Sequence, residues 1–293
     1  MAAILGMGVA TFDIVNEVPT YPAEDGEVRA GAQRLRRGGN TANTLDVLAQ
    51  LGHACAWAGV WADEPDGRWI IGDLEARGVR TDTAVRVAPG KSPTSYITLA
   101  SDTGSRTIVH FRDLPELAAD DLAAIDVTAF RWVHLEVRPN TREVTQMQHL
   151  IRERSPRTMI SLEVEKPREG LEHCLHDPDV VLFAGDYARA QGFAAPEAFL
   201  RSLDPTAVPG VKVCTWGEEG AAAVDNGGRM HRVAAQPPEQ VVDTVGAGDT
   251  FHAGIIDALV HGRSVENALV AGSRLAGRKC GQFGLDGVVA SGP

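Results

Sequence analysis

The chain has 293 residues, 39 acidic against 28 basic side chains, and a formal charge of -11. At about 150 residues per domain it holds one large domain or two small ones, and its 44% hydrophobic and 23% charged residues exclude a disordered, fibrous or disulfide-stapled chain. The acid excess, with no long basic run, argues against a nucleic-acid surface.

The N-terminal stretch Met1 to Phe12 is apolar but lacks a basic flank, and no run approaches the roughly 20 apolar residues of a membrane span, so a cytoplasmic protein is expected. Gly6-Met7-Gly8 resembles the start of a dinucleotide fingerprint. Strand-type alternation and Pro19 follow it instead of a helix, which leaves a pyrophosphate no helix N-terminus to rest on. Residues 11–37 hold strand-like pieces interrupted by Pro19, Pro22 and Gly26. Residues 40–51 read as a helix with Leu45, Leu48 and Leu51 on one stripe, Asn40 as N-cap and Gly52 as stop. Residues 93–111 read as a hairpin, Thr94 to Ala100 and Arg106 to Phe111 about Asp102-Thr103-Gly104.

Segments 55–60, 131–135, 158–164, 179–183 and 211–215 read as buried strands alternating with helices such as 141–154. The expected fold is α/β: one doubly wound parallel sheet over residues 1–293, with a small antiparallel β flap from 11–37 and 91–112 acting as a lid. Cys55, Cys174, Cys214 and Cys280 show neither CxxC spacing nor a nearby metal-type His pattern and read as free thiols.

The strongest chemical signal is Asp243-Thr244-Val245-Gly246-Ala247-Gly248-Asp249-Thr250-Phe251, leading into an amphipathic helix with Phe251, Ile255 and Leu259. Small residues before a helix let amide N–H groups converge on an anion, aided by the helix dipole. Asp249 in the first turn reads either as a favourable N-terminal acid or as a base that collects a hydroxyl proton during phosphoryl transfer. No GxxxxGK[ST] is present, which excludes a P-loop kinase.

The full string resembles the C-terminal signature of the ribokinase, or phosphofructokinase-B, family of sugar and nucleoside kinases. Gly38-Gly39-Asn40-Thr41-Ala42-Asn43 resembles its N-terminal signature. The resemblance makes Gly246, Ala247 and Gly248 the anion hole and Asp249 the catalytic base, and sets Asp13, Gly39, Asn40 and Asn43 at the sugar. Thr215, Gly217, Gly220 and Ala221 match its nucleotide loop, while Pro237, Pro238 and Cys280 would flank the adenine of ATP. Arg106 would meet the transferring phosphoryl group.

Tyr21 to Asp25, Glu163 to Glu169, Trp216 to Gly220 and Lys279-Cys280-Gly281 carry the resemblance toward the family's ketohexose-phosphorylating branch, in which the product would be a ketose 1-phosphate. There two flaps interlock into a homodimer, and Asp25 of the partner subunit would reach the sugar. The family's Asn-x-x-Glu element is missing near Ala184 to Tyr187, which leaves magnesium to waters, phosphate oxygens and one carboxylate such as Glu165. Asp243 matches the contact for a monovalent cation such as K⁺. Adenosine, a sugar acid or a sugar phosphate are the alternative acceptors, with Arg36, Arg37 and Arg138 as their cationic partners. A non-catalytic sugar or nucleotide sensor on the same fold is the alternative outside catalysis.

Overall fold

The computed structural model describes residues 1–289. The chain begins with β1 (Ala3–Met7), β2 (Thr11–Val18), β3 (Ala32–Gly38) and α1 (Asn40–Gln50), then β4 (Ala54–Ala58), β5 (Val60–Ala62), α2 (Pro65–Ala76), β6 (Val79–Arg80) and β7 (Val85–Val87). A long hairpin, β8 (Lys91–Ala100) and β9 (Arg106–Asp113), precedes β10 (Trp132–Glu136), α3 (Thr141–Arg154), β11 (Met159–Val164), β12 (Val180–Phe183), α4 (Gly185–Ala190) and α5 (Pro196–Ser202). The C-terminal part is β13 (Val211–Thr215), β14 (Ala221–Val224), β15 (Met230–Val233), α6 (Ala247–Val260) and α7 (Val265–Cys280).

Nine strands form one sheet in the order β15-β14-β13-β12-β11-β10-β1-β4-β6, parallel from β6 to β13 and antiparallel at β13-β14-β15. Each central strand buries both faces, which is why its sequence runs apolar without alternation. Leu5, Val133, Leu135, Ile160 and Leu162 pack with Val144, Met147 and Ile151 of α3 on one side. Ile4, Trp57, Trp132 and Leu182 pack with α1, α2, α6 and α7 on the other. Helices α6 and α7 cross closely, because a Cβ on Gly254 would lie 2.7 Å from the Gly272 Cα.

The lid is a second sheet in the order β3-β2-β8-β9. It is the expected small flap with one difference of detail: β2-β3 and β8-β9 are antiparallel, while the central pair β2-β8 is parallel, with Asp13 opposite Ser95. Two antiparallel hairpin-like units, separated in sequence by α1 to β7, meet along their first strands. At its base the lid rests on α2, where Phe12 packs edge-on to Trp69 with ring centroids 4.9 Å apart.

Gly6 and Gly8 leave space for α1. A Cβ on Gly6 would lie 2.6 Å from Leu45 Cδ1 and one on Gly8 2.4 Å from Thr41 Oγ1. No helix follows them, and β2 begins at Thr11. The helix start differs from expectation in one detail: Gly39, with φ +98°, is the N-cap of α1 and Asn40 is its first residue. That positive φ, with Val9 O only 2.1 Å from a would-be Cβ, admits glycine alone.

Candidate active site

The carboxyl ends of the parallel strands converge on a cleft between the lid base and the N-termini of α1 and α6, as expected for a doubly wound sheet. Gly246 caps α6 in the left-handed region with φ +82°. The first-turn amides that follow have no partner within the helix and carry the dipole's partial positive charge. Asp249 sits in that turn, 7% exposed. Its Oδ2 accepts from Asn43 Nδ2 at 2.7 Å, and its backbone oxygen from Thr44 Oγ1 at 3.3 Å, which ties α6 to α1.

Burial, and then the negative charge of Glu163, push the Asp249 carboxyl well above the ordinary carboxylate range. Such a group is poised to take up a proton. Glu136, closing β10, is also lifted, to about 7, by burial against the pull of Arg138. Its Oε2 accepts from Val9 N at 3.2 Å and Thr41 Oγ1 at 3.3 Å.

Asn43 is engaged at both ends. Its Oδ1 accepts from Arg37 Nη1 at 2.9 Å, and Arg37 in turn pairs with Asp46 and Asp73, both at 2.8 Å. The expected sugar ligand is thus also the residue that aims Asp249. Asp13 lies against Gly38, where a Cβ would come within 2.2 Å of its Oδ2, and its Oδ1 accepts from Thr11 Oγ1 at 2.7 Å. Asn40 donates to Glu163 Oε1 at 2.8 Å and to Glu165 Oε2 at 3.4 Å. The start of α1 thus brings Asn40 to Glu163 and Glu165, and Asn43 to Gly246 and Asp249, with Asp13 against neighbouring Gly38. The oxygen donors at Glu165 suit a hard, largely hydrated cation such as Mg²⁺.

The other end of the cleft is built by β13, β14 and α7. Gly217 and Gly220 adopt φ +64° and +99°, and Trp216 N donates to Gly220 O at 2.7 Å, so Thr215 to Ala221 make a tight turn with an exposed tip at Gly217 to Glu219 and with Trp216 and Ala221 buried. Pro238 packs on Gly281, with 2.9 Å left for a Cβ there, next to Cys280. Asp243 is met by Arg36 at 3.0 Å, by the fully buried Lys279 at 3.1 Å and by the Gly284 amide at 3.2 Å, and lies at about 2. Burial works against that lowering, and the Val245 amide, donating to Oδ1 at 3.0 Å, together with these contacts outweighs it.

Two expected site residues stand apart. Arg106 pairs with Leu99 near the outer end of the lid, four residues along β9 from His110, which faces Ser95 and Asp13. Asp25 sits exposed in the turn beyond β2 with φ +61° and no hydrogen bond to the cleft. His134, Glu136 and His252 were missed by sequence reasoning. Glu136 had one legible cue, a charged residue ending an otherwise apolar strand.

The residues 7–289 match the model of the pfkB family carbohydrate kinases. Mouse ketohexokinase is 38% identical over 98% of this chain and 98% of its own. Among solved structures, the fold is shared by Arabidopsis thaliana ribokinase complexed with ribose and ATP, at a TM-score of 0.83, 23% identity and 97% and 94% of the two chains. It is shared equally by a putative ribokinase from Agrobacterium tumefaciens, with a TM-score of 0.84, 23% identity and 97% and 92% coverage.

Proposed function

This chain belongs to the pfkB family of carbohydrate kinases, and from that premise we propose that it transfers the γ-phosphoryl group of ATP to the primary hydroxyl of a ketohexose such as fructose, giving the 1-phosphate. The observation that carries the reading is Asp249: a buried carboxyl with raised proton affinity, in the first turn behind the Gly246–Gly248 amides, held by Asn43.

The sugar lies under the lid against Asp13, Gly39, Asn40 and Asn43. Its hydroxyl gives its proton to Asp249 as the oxygen attacks phosphorus in line, and the amides of Gly246 to Gly248 meet the developing charge. ATP lies along Thr215, Gly217, Gly220 and Ala221, with Pro237, Pro238 and Cys280 beside the base. Mg²⁺, held by Glu165 and waters, screens the phosphate charge when bound. A monovalent cation such as K⁺ would sit near the carbonyls of the Asp243 loop, and omitting K⁺ from the assay tests it.

A neutral acceptor is favoured over a sugar acid or sugar phosphate by the state of the three arginines at this end. Arg36 is paired to Asp243, Arg37 to Asp46 and Asp73, and Arg138 to Glu136 and Glu116. Arg36 and Arg37 are thereby committed, whereas Arg138 keeps only the longer contacts of 3.4 and 3.6 Å. A sensor role is disfavoured by the intact base.

The lid supports a homodimer formed through interlocked flaps, in a cytoplasmic enzyme. Leu35, Ile14, Tyr96 and Val109 form one cross-strand row, and Leu35, Tyr96 and Val109 are exposed, as is Phe111. A second lid covering this face would bring Asp25 of the partner subunit toward the sugar, and Val109→Asp would leave a monomer by sedimentation velocity. The central test is a panel of fructose, other ketoses, ribose, adenosine and sugar phosphates with ATP. Turnover should be highest with a ketohexose; strong turnover of a sugar phosphate with none of fructose sinks the reading.

A further inference from the structure

Three polar atoms meet in the interior beside the cleft with no hydrogen bond to any of them. They are His134 Nε2 on β10, Glu163 Oε2 on β11 and His252 Nδ1 on α6, from residues 0%, 4% and 4% exposed. All three lie within 4.8 Å of one another, with Glu163 Oε2 at 3.6 Å from His134 Nε2 and 3.7 Å from His252 Nδ1. These separations are long for hydrogen bonds. They fit the edges of a coordination shell, because two ligand atoms about 2.1 Å from a tetrahedral zinc ion stand about 3.4 Å apart.

The far sides of two of these groups, His134 and Glu163, are satisfied. His134 Nδ1 is 2.8 Å from Ser161 Oγ, which also accepts from Trp132 Nε1 at 2.8 Å, and Glu163 Oε1 accepts from Asn40. Bare inner atoms with occupied outer ones are the pattern of ligating histidines and carboxylates, whose outer hydrogen bonds fix tautomer and orientation. The other cluster of this kind among the described residues, His53, Asp257 and His261, contrasts with it. There His53 Nε2 lies 3.0 Å from Asp257 and its Nδ1 accepts from Ala2 N at 3.3 Å, so the ring is satisfied within the protein.

We propose that His134, Glu163 and His252 form a buried site for a zinc-type divalent transition metal, with a fourth position open to water. Two imidazole nitrogens and one carboxylate oxygen are a zinc donor set, and they do not suit Mg²⁺, which demands oxygen. The site is separate from the phosphate-bound Mg²⁺ of the proposed reaction. Its ion would fix Glu163, and through Glu163 the Asn40 amide at the sugar. No sequence spacing reveals it, since the two histidines lie on a strand and a helix about 118 residues apart in the chain.

The test is spectroscopic and independent of turnover. The chain, purified without a polyhistidine tag, is analysed by elemental mass spectrometry, stripped with a chelator and titrated with Co²⁺. About one equivalent of zinc per chain is expected, with visible Co²⁺ d–d bands of tetrahedral type that zinc abolishes. His134→Asn and His252→Asn should each weaken Co²⁺ binding at least about tenfold. Wild-type protein that retains no zinc and develops no Co²⁺ bands overturns the site, as do bands that persist unchanged when both histidines are replaced.

Discussion

Replacing Arg37 by methionine tests whether a buried charge network aims Asp249, the proposed base. The guanidinium is 2% exposed and makes three bonds, to Asp46, Asp73 and Asn43. Methionine has similar length and keeps the apolar packing, so what it removes is the charge and the donors. Breaking a buried pair from one side strands the other charge and costs about 3–5 kcal/mol. Arg77, 3.0 Å from both Asp46 and Asp73, remains to share their charge and sets the expectation at the lower end, about 3 kcal/mol. At about 2.1 cal/mol/K per residue over this chain, that loss lowers Tm by about 5 °C.

The second readout is kinetic. Without its Arg37 donor the Asn43 amide is free to rotate away from Asp249, and kcat should fall by about an order of magnitude with the KM for ATP unchanged. Calorimetry and denaturant titration give the first number and steady-state kinetics the second. A stability loss below about 1 kcal/mol, the range of an ordinary surface ion pair, would refute the buried-network reasoning. An unchanged kcat would refute the coupling to Asp249.

Asp249→Asn keeps shape and hydrogen bonding but accepts no proton, and kcat should fall about a hundredfold to ten thousandfold with ATP binding retained; full activity rules out the general base. The wild-type rate should climb with pH as Asp249 ionises, on a limb displaced upward from the ordinary carboxylate range. Asn43 stabilises the ionised form by donating to Oδ2, so Asn43→Ala should move that limb to still higher pH; a downward move contradicts the assignment. Gly220→Ala forces a Cβ to 2.0 Å from Val233 O at φ +99°, and should weaken ATP binding and destabilise the chain by about 1–3 kcal/mol, measured by nucleotide titration and thermal melts.

What could be read from the chain was local. The glycine-rich turn at Gly246, the base in the next helical turn and the Gly38-Gly39-Asn40 entry to α1 are contiguous, and their geometry follows from backbone rules. The central strands were legible because burial on both faces leaves an apolar run. The parallel pairing of β2 with β8 was not, since it joins segments separated by α1 to β7 and no hairpin turn encodes it. Nor was the double engagement of Asn43, which depends on Arg37 entering the core rather than facing an anionic substrate. The His134, Glu163 and His252 cluster escaped for the same reason: it exists only once β10, β11 and α6 are assembled.

Arg36 sits on lid strand β3 yet bonds Asp243, at the start of the anion-binding turn, and lies 4.2 Å over the Phe283 ring. The lid is thus tied to the start of α6 as well as packed on α2 at its own base, and on the proposed reading that second tie lies at the nucleotide side. Any shift of β3 that strengthens or strains this mooring enters the free energy of both substrates. Because a thermodynamic cycle closes, whatever factor bound sugar adds to nucleotide affinity, nucleotide must return to sugar affinity. The arginine makes the order of arrival a matter of kinetics while fixing a single coupling energy for the pair.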